Sequence, residues 1–199
     1  MGLFDRFRSQ VSVRTRAESP AIEIEKAERL LRAGASVAEI RREAKAITSD
    51  DNVSRAWRSL LLGDLDTALE ASYAAADDRP YDVDSRIAHG TVRLARQELD
   101  HSEHEFEAVI EEFGADSDAV DGRRATILAR GHAPLDELPA STEEWESAAI
   151  LLTTLWRVGR VVEERMATIE TGHPDGQSVV KQALAKGRVA DLEAEDGTV

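Results

Sequence analysis

The sequence predicts an all-α fold, and three observations support this prediction. Apolar residues recur at the three- and four-residue spacing of a helix face over most of the 199 residues, without a convincing run of alternating β-branched residues. Capping residues and glycines stand where these periodic segments begin and end. Residues 63–80 and 97–114 also echo one another at a distance of 34 residues, a spacing typical of stacked antiparallel helical hairpins.

The helices can be assigned in order from their capping signals. The first follows Ser19-Pro20, an N-cap with proline at the first helical position, and ends at Gly34. Ser36 and Glu39 form a capping box that begins the second helix. Five helices of similar length are then expected near residues 53–62, 64–78, 83–96, 98–112 and 118–130. Each is too short to be stable alone, so packing against its neighbours must stabilise it.

A longer helix is predicted over residues 141–170. Ser141 and Glu144 form a second capping box. Apolar residues follow at spacings of three and four, at Trp145, Ala148, Leu152, Leu155, Gly159, Val162, Met166 and Ile169. This helix is expected to cap the open end of the hairpin stack, and a structural homodimer that pairs two copies of it is the alternative. A last helix around Val180 precedes an acidic tail at 193–199.

The two echoing segments resemble the tetratricopeptide repeat (TPR). The first unit carries small, turn and closing residues of that motif at Ala56, Gly63, Ala68, Ser72, Ala75 and Pro80. The second carries Gly90, Gln97, Ser102, Phe106, Val109 and Gly114, so it gains the motif's aromatic residue but lacks the turn glycine and the proline. The resemblance is clearest over residues 49–116. A third unit begins in phase but is interrupted at His132-Ala-Pro134.

The resemblance implies a groove, lined by the first helix of each hairpin, that binds a peptide or protein partner. Its residues would be Val53, Trp57, Leu60 and Leu61 in the first unit and Asp84, Ile87, Thr91, Leu94 and Ala95 in the second. Trp57 is either a ligand anchor or a core residue.

Charge separates between the two helices of each unit. First helices carry an excess of arginine, including Arg58 and Arg93, whereas second helices are acidic. A groove lined by arginine would bind an acidic peptide or a C-terminal carboxylate. The alternative is that each arginine pairs with an acid of the neighbouring second helix.

Composition limits the environment in which the protein works. The net charge is -14, and the chain has four lysines and 21 arginines. This composition resembles that of proteins from salt-loving archaea, and an ordinary acidic bacterial protein is the alternative. The absence of cysteine excludes disulfides and cysteine-based zinc sites. Because no apolar run reaches the roughly 20 residues of a membrane span, a soluble cytoplasmic protein is expected. The acidity also disfavours nucleic-acid binding.

These patterns predict a non-catalytic interaction scaffold without metal or cofactor. Residues 1–18 form a basic, amphipathic arm, of which residues 1–11 either touch a membrane surface weakly or pad the helical domain at 19–192. A DNA-binding helix-turn-helix near residues 30–60 is the second function considered, although Asp50 and Asp51 would repel phosphates. His101 and His104 lie near Glu98 and Glu105 on one helix, and this cluster is interpreted as solvated surface.

Overall fold

Helices make up all the regular structure in the part of the chain that the computed structural model describes, which is residues 20–131, 141–161 and 174–196. They are α1 (Pro20–Ala33), α2 (Val37–Ala44), α3 (Asn52–Leu62), α4 (Leu65–Asp78), α5 (Val83–Ala95), α6 (Leu99–Phe113), α7 (Ser117–Arg130), α8 (Thr142–Gly159) and α9 (Pro174–Asp196). The all-α prediction is confirmed. The N-terminal arm, the Ser19 cap and the interruption at His132 lie outside the described residues.

Helix boundaries agree closely with the capping signals. The five helices expected between residues 53 and 130 begin and end within one residue of α3 to α7. Both capping boxes are present: Ser36 pairs with Glu39 at the start of α2, and Ser141 pairs with Glu144 at the start of α8. Local side-chain hydrogen bonds therefore set these boundaries.

The predicted helix over 141–170 is not continuous, because it is interrupted at residue 160. Arg160 adopts a left-handed conformation with φ 59°, and the N–H of Val161 bonds back to the Trp156 carbonyl at 2.9 Å. Helix α8 therefore ends at Gly159, and the apolar positions Val162 and beyond lie outside the described residues. The regular apolar spacing misled because it continues past the point at which the backbone turns.

Helix α8 lies at the centre of the core. All residues from Leu151 to Val158 are buried, which requires neighbours on every side of the helix. The neighbours are α1, α7 and α9, with further contacts to α2, α3 and α5. The apolar spacing of α8 thus reflects burial on several faces, and it did not mark a single coiled-coil seam.

Local backbone geometry recurs at the 34-residue spacing. Gly63, Gln97 and Gly131 follow α3, α5 and α7, and all three are left-handed, with φ of 84°, 67° and 70°. The helices that follow the first two turns begin at Leu65 and Leu99, which are also 34 residues apart. A left-handed turn residue is usually glycine, and Gln97 is the one of these three that is not.

Phe106 of α6 fills a slot between α5 and α7 that small residues create. Its side chain is fully buried. A Cβ at Gly90 would lie 2.9 Å from Cε1 of the ring, and a Cβ at Gly122 would overlap the ring more severely. Ser102, one turn earlier in α6, donates a hydrogen bond to the Gly90 carbonyl at 3.0 Å. The predicted aromatic and small positions of the second unit therefore form one packing contact.

A buried arginine joins α8 to α9 and to the turn between α1 and α2. The Arg157 side chain is 4% exposed and bonds to Asp191 of α9 at 2.9 Å and to the Ala35 carbonyl at 2.8 Å. It also donates to the carbonyl of Gly187, where a Cβ would come within 2.5 Å of the guanidinium carbon. The second oxygen of Asp191 accepts the N–H of Val37 at 2.7 Å, so it caps α2. One charged pair thereby connects α8, α9 and the α1–α2 turn.

Gln97→Gly is expected to stabilise the protein by about 1 kcal/mol, because glycine adopts the left-handed conformation without steric cost. Urea unfolding of wild type and variant measures the difference. Gln97→Ala is the matched control, since alanine removes the side chain but retains the Cβ. An equal gain from alanine would contradict the backbone explanation.

Arg157→Lys is expected to destabilise the protein by about 2 kcal/mol, because a single ammonium cannot replace the separated donors of the guanidinium. The readout is the urea unfolding midpoint, and Arg188→Lys on the exposed side of α9 is the control. If both variants unfold at the wild-type midpoint, the buried arginine does not hold these elements together.

Candidate interaction surfaces

The residues predicted to line a groove lie on α3 and α5, but most of them are buried. The buried members are Trp57, Leu60, Leu61, Ile87, Thr91, Leu94 and Ala95, whereas Val53, Arg58, Asp84 and Arg93 are partly exposed. Helix α8 contacts both α3 and α5, and α1 contacts α3. In this structure the expected groove is therefore not open, because helices of the same chain cover it, and Trp57 is a core residue at 5% exposure.

A small cleft remains at the edge of this face, between α1, α3, α5 and α7. It is lined by Ile24, Glu28, Val53, Trp57, Asp84, Ile87 and Asp118. Its volume of about 40 Å³ holds a few water molecules, which is far less than a peptide-binding groove needs. Its three carboxylates also make it acidic, in contrast to the predicted basic groove. A partner would reach this face only if α1 moved.

Most of the arginines of the first helices pair with acids of the same chain. Pairs across adjacent helices are Arg86 with Glu112 (2.9 Å), Arg96 with Asp66 (2.5 Å), Arg123 with Glu107 (2.6 Å) and Arg130 with Asp100 (2.6 Å). Arg93 bonds to Glu98, and Arg58 donates to the Ile47 carbonyl at 3.1 Å. This is the internal pairing that was the alternative to an arginine-lined groove. The expectation of an acidic partner therefore loses its physical basis.

A buried histidine connects α4 to α5. Arg93 donates to Nε2 of His89 at 3.2 Å, so the ring proton is assigned to Nδ1, which donates to the Ser72 hydroxyl at 3.0 Å. Ser72 in turn donates to the Leu69 carbonyl at 3.0 Å. Burial lowers the pKa of His89 below its ordinary value, and the nearby positive charge of Arg93 lowers it further. The neutral ring also supports Tyr73, whose ring centre lies 5.9 Å away in an edge-to-face arrangement.

The outer side of α4 carries an exposed acidic stripe with one aromatic residue. Asp66, Glu70, Tyr73 and Asp77 follow one another at spacings of four, three and four, and all are exposed. Tyr73 is 62% exposed. The positions 34 residues later on α6 are Asp100, His104, Glu107 and Glu111. Sequence analysis found the acidity of these helices but missed the stripe, which the spacing of four, three and four would have revealed.

The metal-site and DNA-binding alternatives gain no support. No group of three or more potential metal ligands is present in the three described ranges, and His101 and His104 are exposed on α6. In the helix-turn-helix alternative, α3 would approach phosphate with its N-terminus. The carboxylate of Asp51 occupies that end, where it accepts the N–H of Ser54 at 3.1 Å. A negative charge at this position opposes phosphate binding.

Comparisons of this chain with protein-family models, curated proteins and solved structures find no match. Among the described helices, none combines the length and apolar character needed to cross a bilayer. The surfaces described above are therefore the basis for assigning a function.

Stability is expected to fall as the pH is lowered through about 6.5, the ordinary pKa of histidine, because the unfolded chain then binds a proton that the folded His89 resists. Urea unfolding at pH 7.5 and at pH 5.5 measures this slope, which His89→Gln should flatten. The control is His104→Gln, which replaces an exposed histidine on α6. A slope that persists in His89→Gln would assign the pH dependence to other groups.

Proposed function

We propose that the chain is a non-catalytic protein–protein interaction module built from stacked, TPR-like helical hairpins. The observation that carries the proposal is the recurrence of one ion pair at 34 residues. Arg96 of the turn after α5 pairs with Asp66 of α4, and Arg130 of α7 pairs with Asp100 of α6. Two successive parts of the chain therefore meet in the same way, as stacked repeats do.

The order of helix contacts supports the same architecture. Each helix from α3 to α7 packs against the next in sequence, and α3 contacts α5 as α5 contacts α7. Contacts of this kind bury a continuous core between neighbouring units. Helices α1 and α8 then cover the face that a peptide-binding repeat protein would leave open, so the partner surface is proposed on the outer side.

The outer side of α4 and α6 fits a partner segment rich in lysine or arginine. Glu70 and Asp77 flank Tyr73 at i−3 and i+4, so a cation over the exposed ring would lie near both carboxylates. Exposed ion pairs contribute about 0 to 1 kcal/mol each, and an exposed cation–π contact about 0.5 to 1 kcal/mol. Binding would therefore need several such contacts and would weaken as the salt concentration rises.

A capture experiment with three baits tests the proposed function. The baits are the wild type, an outer-face variant (Glu70→Lys, Tyr73→Ser, Asp77→Lys) and a control with the same change of charge on α8 (Glu143→Lys, Glu146→Lys). We expect a basic partner to be retained by the wild type and the control and lost by the outer-face variant. Melting curves confirm that all three baits are folded. Recovery of the same partners by all three would contradict the proposed surface.

A further inference from the structure

Helix α9 has two opposite apolar faces, of which only one is covered. Val180, Ala183 and Leu184 are buried against the helical body, and α9 packs mainly on α8. On the opposite side Val189 and Leu192 are 53% and 62% exposed. They lie one turn apart and form a single apolar stripe with the exposed Ala185.

Charges divide α9 into a basic half and an acidic half. Residues 181–188 contain three bases and no acid, whereas residues 189–196 contain four acids and no base. This order opposes the helix dipole, which favours cations in the last turn, where α9 has none. A second copy of α9 lying antiparallel would place its basic half beside the acidic half of the first, and would compensate both.

We propose that the exposed stripe of α9 binds α9 of a second copy of this chain in an antiparallel, twofold-symmetric pair. Lys186 and Glu193 are seven residues apart and therefore lie on the same flank of the helix. A twofold axis near residues 189–192 places Lys186 against the partner subunit's Glu193. The same axis brings Val189 and Leu192 of the two copies together at the centre.

The interface uses exposed residues of α9 and none of the outer face of α4. It is therefore independent of the proposed partner surface, and either proposal stands if the other fails. A single pair of helices buries less than the roughly 1,200 to 2,000 Å² of a stable interface, so the dimer is expected to be weak and concentration-dependent.

Sedimentation of the full chain over a concentration series at about 0.1 M salt tests the pair. We expect Lys186→Glu and Glu193→Lys each to weaken dimerisation about tenfold, because each places like charges together at two symmetric positions. The double variant should restore the wild-type constant. An equimolar mixture of the two single variants should also dimerise, because each copy supplies the charge that the other needs.

The matched control is Glu143→Lys, an exposed charge reversal on α8 that should leave the constant unchanged. Val189→Ser with Leu192→Ser should abolish the dimer without lowering the melting temperature, since both side chains are exposed in the single chain. A wild-type protein that stays monomeric to about 0.5 mM, well above the micromolar range of specific weak complexes, overturns the proposal. A dimer that none of the α9 variants changes, or that mixing does not restore, also overturns it.

Discussion

The position of α8 against α9 and the α1–α2 turn depends on the buried guanidinium of Arg157. Removing this charge from water is costly, and one carboxylate together with backbone carbonyls offsets part of that cost through the two terminal nitrogens. Arginine suits the site because its planar head presents several donors in fixed directions. Glycine at 187 lets α9 approach closely enough to supply one of the acceptors. The pair with Asp191 therefore sets the positions of α8, α9 and the α1–α2 turn relative to one another.

The packing of α1 and α8 on α3 and α5 changes the role of residues on those two helices. Residues such as Trp57 and Leu94 would line a groove if α3 and α5 lay at a surface, but α1 and α8 pack on these helices and the residues are buried. Arg86 of α5 and Arg96 of the turn after it lie beside acids of α6 and α4, where they contribute to helix packing. The surface left to solvent is acidic, with Tyr73 exposed on α4.

Local features of the fold could be predicted from the sequence, whereas contacts between distant segments could not. The helix starts at Ser36 and Ser141 could be predicted because each cap involves a residue only three positions away. The end of α8 was missed because Arg160 adopts a backbone conformation that usually favours glycine. The closed groove was missed because an apolar helix face shows that a helix is buried but does not identify its neighbour. The sequence pattern around Trp57 would be the same whether its side chain lined an open groove or lay in the core.

The hydrogen bond between Asp191 and the amide of Val37 spans 154 residues and so has a consequence for the order of folding. Helices α3 to α7 can pair with their neighbours as each emerges during synthesis, because their contacts are local. The contacts of Asp191 with Val37 and with Arg157 can form only after almost the whole chain has been synthesised. Until α8 has been synthesised, the apolar face of α3 and α5 lacks part of its cover, and a partly folded chain with exposed apolar surface is prone to misassembly.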